Sequence, residues 1–286
     1  MLNQVIGLDH VVVVAHDLDA AAAGWHALGF TVSPRGTHSA HMGTGNYTIM
    51  LGDDYLELLG VLTDTAHNAP TRAYLEKREG IERAAFTARD AAAGVAELQA
   101  RGIAATGPVD FGRPVTMPDG TATMARFSTF NWPIEERPGD MRIFACQHHT
   151  RDTVWIPELQ QHANSATGIA RVELLSRDPL RAAQHMGRLI DREPQAQADG
   201  AWCVPSGSTR ADFVFLSRAQ LAARYPGLAV DALPDEGAAA LVLRVADIAR
   251  AGKALAAVPA VQSGGRWVVP ASHANGLMLV FERSSA

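Results

Sequence analysis

A chain of 286 residues with 47% hydrophobic and 19% charged residues has room for one large or two ordinary domains and for a sizeable core. Its net charge of -5, from 25 Lys and Arg against 30 Asp and Glu, excludes a broad nucleic-acid surface, which needs a basic face. No apolar run approaches the roughly 20 residues of a membrane span, the first residues lack the basic segment of a secretion signal, and Cys146 and Cys203 are too few for a disulfide framework or a zinc finger, so a cytoplasmic, reducing setting is expected.

Taken in order, four stretches follow one plan: an apolar strand, an aspartate, then a helical segment. The first is LDHVVVVAHD, ending at Asp17, then LDAAAAGWHALGF; the second is IERAAFTARD, ending at Asp90, then AAAGVAELQARGI. The third is GIARVELLSRD, ending at Asp178, then PLRAAQHMGRLI; the fourth is AAALVLRVAD, ending at Asp247, then IARAGKALAAV. An aspartate caps a helix here because its carboxylate accepts from the first free N–H groups, and Pro179 suits the first helical position. Short runs bounded by Gly, Pro, Asp or Ser follow each helix and read as strands. They are FTVSPRGT, NYTIMLGD and YLELLGV in unit one, TATMARFSTF and MRIFACQHH in unit two, AWCVPSG and ADFVFLSR in unit three, and RWVVPAS and GLMLVFE in unit four. Each unit is expected to be βαβββ. The fold is then α+β, with mixed or antiparallel sheets whose outer faces the helices cover. A short helix is expected in PTRAYLEKREG between units one and two. Another, RAQLAARY, is expected within a segment, Arg218 to Glu236, that interrupts unit three. The polar stretch from Thr150 to Gly168 reads as a linker, dividing the chain into residues 1–160 and 161–286.

Four βαβββ units in two pairs resemble the vicinal oxygen chelate superfamily, which includes glyoxalase I, methylmalonyl-CoA epimerase and extradiol dioxygenases, and within it the glyoxalase-like domain proteins. The carriers are GLDHVVVVAHDLDAAAAGWHALGF, GTGNYTIMLGDDYLELLG, RIFACQHH and WVVPASHANGLMLVFE. The resemblance implies that two modules close around a cup holding a divalent metal ion, which neighbouring substrate oxygens chelate. Ligands come from the first and last strands of the paired modules. Carried over, His10 matches the first-strand ligand and Glu57 the last-strand ligand of the first module. In the second module the same positions fall at or near Arg83 and Phe144, so half the usual set is absent. If Phe144 faces the cup, strand alternation places Cys146 and His148 there too. His148 is then expected to complete a His10, Glu57 and His148 set suited to iron, manganese, nickel or zinc. In the second pair the positions fall at Arg171, at Ala239 or Ala240, and near Val280, with Glu173 and Glu282 close by. This half is expected to be structural or to bind without metal.

Glu57 lies between Leu56 and Leu58 and needs a partner when buried: a metal ion, or an ion pair with Arg83 or Arg142. Without a metal it is expected to act as a general base with a raised pKa. Asn46, Tyr47, Arg126 and Trp132 are the expected substrate contacts, with Arg126 gripping a carboxylate from a face it shares with Ser128 and Phe130. His38 and His41, around a Gly-rich turn, either close over a substrate or are solvated. Asp53 and Asp54 form a hairpin turn, and Cys146 is read as a small buried hydrophobe. The expected function is a metal-dependent enzyme of lyase, isomerase or dioxygenase type. It acts on a small oxygen-rich metabolite in the first cup, with His10 and Glu57 catalytic and proton transfer beside a carbonyl favoured. The alternative is a metal-free protein that binds or sequesters a small molecule. Expected partners are a small-molecule substrate, with no nucleic acid and no membrane; the pattern also admits a homodimer.

Overall fold

The computed structural model describes residues 2–284. Module one consists of β1 (Val5–Val14), α1 (Leu18–Ala27), β2 (Gly36–Thr37), β3 (Thr44–Leu51) and β4 (Asp54–Val61). The short helix α2 (Ala69–Leu75) leads to module two: β5 (Gly80–Ala88), α3 (Ala91–Ala100), β6 (Thr106–Thr116), β7 (Ala122–Asn131) and β8 (Arg142–His148). Module three is β9 (Ala166–Leu175), α4 (Pro179–Ile190), β10 (Gln195–Ala196), β11 (Trp202–Pro205) and β12 (Asp212–Leu216). After α5 (Arg218–Arg224), module four comprises β13 (Gly237–Val245), α6 (Ile248–Ala254), β14 (Val261–Ser263), β15 (Arg266–Val269) and β16 (Met278–Arg283).

The four aspartates start the four module helices as the sequence suggests. Asp17, Asp90 and Asp178 accept from the backbone N–H of Ala20, Ala93 and Arg181, and Asp247 accepts from those of Ala249 and Arg250. Each cap is worth about 1 kcal/mol. The small side chains of α1 and α3 let those helices lie close on their sheet: a Cβ added at Gly94 would stand 2.5 Å from the Phe130 ring.

The strands form two mixed eight-stranded sheets, in the orders β2-β3-β4-β1-β5-β8-β7-β6 and β10-β11-β12-β9-β13-β16-β15-β14. Within a module the first strand runs parallel to the last. Between modules the two first strands run antiparallel, β1 on β5 and β9 on β13. Each sheet therefore joins two modules edge to edge and leaves one face concave.

Three expectations need correction. The helices do cover one face of each sheet and keep an exposed side of their own, but those faces are not turned outward. The helix-bearing faces of both sheets share one apolar core, which holds Val11, Phe86 and Phe130 from the first sheet beside Val172, Phe213 and Phe281 from the second. Phe86 and Phe213 meet at 5.8 Å between ring centroids, and the Trp25 indole N–H donates to Asn275 Oδ1 at 2.8 Å. Both faces are too apolar to be left to water, and burying each against the other satisfies both. Second, β6 escapes the sequence pattern. It carries Gly107, Pro108, Gly112 and Pro114 and is largely exposed, and an edge strand tolerates the proline that a central strand excludes. Third, the helix RAQLAARY does not interrupt module three. It follows β12, the last strand of that module, because β10 has only two residues and gives no periodic signal.

The polar stretch after residue 150 does more than connect the sheets. Val154, Trp155 and Ile156 are buried, and Val154 and Trp155 pack onto the concave face of the first sheet with Met50, Tyr55 and Phe127. Asp54 ties the first sheet to the second, its carboxyl accepting from the buried Ile169 N–H at 3.0 Å.

Candidate active site

The pairing register fixes which residues occupy the positions from which a cup is built. His10 lies seven residues before Asp17, and Glu57 pairs with Val12, two residues further along β1. In module two the same relations select Arg83 and Phe144, since Ala85 pairs with Phe144. In the second sheet they select Arg171 with Val214, because Val214 pairs with Glu173, and Ala240 with Val280, because Val280 pairs with Val242.

On the concave face of the first sheet, two polar groups meet at His10. One is built on Asp9, which is fully buried. Strict alternation turns neighbouring strand residues to opposite faces, but the β1–β5 register shifts between Leu8 and His10, and this irregularity brings Asp9 to the imidazole. His10 Nδ1 lies 2.8 Å and His148 Nε2 3.0 Å from Asp9 Oδ1, and the Thr87 hydroxyl donates to Oδ2 at 2.7 Å. Burial alone would raise the Asp9 pKa, but His148 and His10 outweigh it and hold the carboxyl far below the usual carboxylate range. An ionised Asp9 only accepts, so both imidazoles donate to it. His10 is left with its Nε2 facing the second group.

That second group is centred on Glu57. Asn46 Nδ2 donates to Glu57 Oε1 at 2.7 Å, His10 Nε2 stands 3.6 Å from Oε2, and His38 Nε2 stands 3.9 Å from Oε1. The other nitrogen of His38 is hydrogen-bonded to the Thr44 hydroxyl at 2.8 Å. Burial pushes the Glu57 carboxyl up, yet His10, His38, the Asn46 bond and Arg83 together bring it below its ordinary value. This corrects the expectation of a raised pKa: Glu57 is a stabilised anion. Burial lowers the His38 pKa, an effect Glu57 partly opposes. Tyr55 stacks on His10 at 4.2 Å between centroids, and Phe144 meets the same ring edge-on at 5.6 Å.

His148 reaches the cup but serves Asp9. Its Nδ1 is buried without a hydrogen-bond partner, and its ring stands between Phe127 at 5.2 Å and Trp155 at 4.9 Å. His149 turns to the other face and meets the Ser128 hydroxyl. Among the described residues, no three His, Cys, Asp or Glu side chains form a group able to hold one ion as they stand. Arg83 does not ion-pair with Glu57. It pairs with Glu82 at 2.8 Å and donates to the Thr71 hydroxyl, and Arg142 also binds Glu82.

Of the expected substrate contacts, Asn46 lies at the site. Tyr47 points away and donates to Asp19 at 2.8 Å. Arg126 is exposed on the face opposite Ala125 and Phe127, which are the β7 residues that enter the cup. Trp132 belongs to the core between the sheets, its indole N–H donating to the Leu189 carbonyl. Cys146 is buried in the cup, and burial raises its thiol pKa strongly. His41 lies beside His67, 5.2 Å between centroids.

The model of the glyoxalase-like domain family matches residues 8–190. This chain belongs to that family. The match begins inside β1, takes in the other strands of the first sheet and continues through α4. A hypothetical protein from Staphylococcus aureus has 14% identity to this glyoxalase-like chain and a TM-score of 0.70, covering 97% of this chain and 99% of its own. A triple mutant of 4-hydroxymandelate synthase from Streptomyces coelicolor has 12% identity and a TM-score of 0.60, covering 99% and 95%. A methylmalonyl-CoA epimerase variant from Streptomyces coelicolor, in complex with 2-nitronate-propionyl-CoA, has 20% identity and a TM-score of 0.39, covering 51% of this chain and 99% of its own. At identities this low, the first two likenesses show a shared fold and nothing finer. No curated protein sequence matches the chain. No helix among the described residues is long and apolar enough to cross a membrane.

Proposed function

We propose that the concave face of the first sheet is the active site of a metal-dependent enzyme acting on a small oxygen-rich metabolite, of lyase, isomerase or dioxygenase type. The ion would be held by His10, His38 and Glu57. The observation that carries this reading is the convergence of two imidazole Nε2 atoms on one ionised carboxylate, at 3.6 and 3.9 Å. His10 Nε2 faces one oxygen of Glu57 and His38 Nε2 faces the other, so the three side chains would hold an ion once they close in on one another. The donor chemistry fits as well. Two histidines and one carboxylate suit iron, manganese, nickel or zinc with positions open to substrate. Each imidazole is also anchored through its other nitrogen, by Asp9 and by Thr44, as outer partners of metal-bound histidines do.

A bound divalent ion supplies Lewis-acid polarisation of a substrate carbonyl. The chain does the rest. Asp9 fixes the His10 ring and turns its Nε2 towards Glu57, Asn46 orients Glu57, and Tyr55 and Phe144 keep water from the two sides of His10. Proton transfer at a carbon beside the carbonyl remains the favoured chemistry.

The test is the metal content of purified wild type beside H10A, H38A, E57A and H148A. The reading expects a near-stoichiometric ion in wild type and H148A and its loss in the other three. An ion kept by H38A and lost by H148A would restore the trio expected from sequence. No ion in any protein, even after incubation with iron, manganese, nickel and zinc, would overturn the metal reading. The second reading, a metal-free cup that binds or sequesters a small molecule, is favoured by Arg83 and Phe144 standing at the other two ligand positions.

A further inference from the structure

The second sheet has a concave face of different character. It carries a cavity of about 560 Å³ lined by Arg171, Arg224, Arg244, Arg266, Asp212 and Glu282, among others. That volume lies within the range of small-molecule sites. The positions that would supply metal ligands are Arg171, Val214, Ala240 and Val280, none of them a usual metal donor.

Two of the arginines are committed. Glu173, fully buried beneath them, accepts through one oxygen from Arg171 at 2.7 Å, Arg224 at 2.9 Å and the Tyr225 hydroxyl at 3.0 Å. Arg171 also donates to Glu282 Oε1 at 2.7 Å, and Arg224 pairs with Asp199. Two others are not committed in this way. Arg244 stands opposite Glu282 in the β13–β16 register, yet among the described residues its side chain has no hydrogen-bond or ion-pair partner. Arg266 makes only a long ion pair with Glu282, at 3.8 Å, and lies 5.8 Å from the Tyr225 ring centroid. Pairing of Trp267 with Phe281 places Arg266 on the other side of the same Glu282, so Arg244, Glu282 and Arg266 form one row across three strands. Arg283 adds a further positive charge to the lining. Against five arginines the lining sets Asp199, Asp212 and Glu282, with Glu173 below, which leaves one positive charge in excess.

We infer that this second cup binds a small organic anion without metal, gripping a carboxylate between the Arg244 and Arg266 guanidinium groups. Guanidinium forks match carboxylate oxygens in pairs. The committed arginines, stiffened by Glu173, frame the cavity and take little part in holding the ligand. This inference stands apart from the metal reading of the first cup.

The test is calorimetric titration of the full chain with succinate and, separately, with inorganic phosphate, in wild type, R244Q, R266Q, R244K and E57Q. Melting curves verify that each variant is folded. Succinate is expected to bind wild type and E57Q alike, to bind more weakly as salt rises, and to lose about tenfold or more in affinity in R244Q and in R266Q, the loss that goes with removing a charge-assisted hydrogen bond. R244K, which keeps the charge without the fork, is expected to fall between. Phosphate binding with the same dependence on Arg244 and Arg266 would support an anion site of broader selectivity. Absence of binding to either anion, affinity unchanged in R244Q and R266Q, or affinity lost in E57Q would each overturn the inference.

Discussion

Replacing Asp54 by Asn removes a titration without removing the hydrogen bond that joins the two sheets. Asp54 is nearly fully buried, its two oxygens lie 3.0 and 3.2 Å from the Ile169 nitrogen, and burial pushes its pKa from 3.8 up to about 7, against the opposing pull of the Ile169 bond, Arg244 and Arg210. A folded-state pKa above the unfolded value gives stability that is fully present below pH 3.8 and is lost as pH rises towards 7. The shift corresponds to about 4 kcal/mol in total, of which about 2–3 kcal/mol falls between pH 5 and pH 8. For a chain of this size that is roughly 3–5 °C in melting temperature. D54N keeps one oxygen for the Ile169 N–H and cannot ionise. Melting of wild type and D54N, followed by circular dichroism at pH 5 and pH 8, is expected to show the wild type losing more stability between the two values, with D54N the more stable protein at pH 8. An equal pH dependence in the two proteins, within about 2 °C, would refute the assignment of a neutral Asp54 at the sheet junction.

Other outcomes follow from the packing. G94A places a methyl group 2.5 Å from Phe130, so overpacking of about 1–3 kcal/mol is expected to exceed the gain of up to about 1 kcal/mol in helix propensity; chemical denaturation reads the net sign. W25F removes the donor that Asn275 accepts from at 2.8 Å and is expected to cost about 1 kcal/mol, measured the same way. H148A leaves Asp9 with the His10 and Thr87 contacts and is expected to keep bound metal, whereas H38A is expected to lose it.

The legible part of this fold was local. A strand, a capping Asp and a helix are set by neighbouring residues, so all four modules could be located, and with them His10, Arg83, Arg171 and Ala240, each seven residues before its Asp. In the register Glu57 pairs with Val12 and Phe144 with Ala85, each two residues beyond the first-strand position of its module. What failed depended on partners distant in sequence. The face of β7 follows from how it pairs with β6 and β8, and an error of one residue exchanges its two sides. That exchange separates the Arg126 expected in the cup from the Phe127 found there. Trp132 lies in the core because a second sheet covers it, which no local pattern announces. Asp9 was missed for a simpler reason. It adjoins His10, and alternation sends it to the other face unless the strand is irregular; only the shifted pairing with β5 reveals the irregularity. His38 sits in a loop whose path over Glu57 has no periodic signature.

The shared core has a further consequence. Because the helix-bearing faces meet in the middle of the molecule, the two concave faces point away from each other, with both sheets and a layer of helices between them. A small molecule that leaves one cup reaches the other by way of the solvent. The same wall separates two linings of different chemistry: one cup carries His10 and Glu57 at its first-module positions, while the other is lined by arginines.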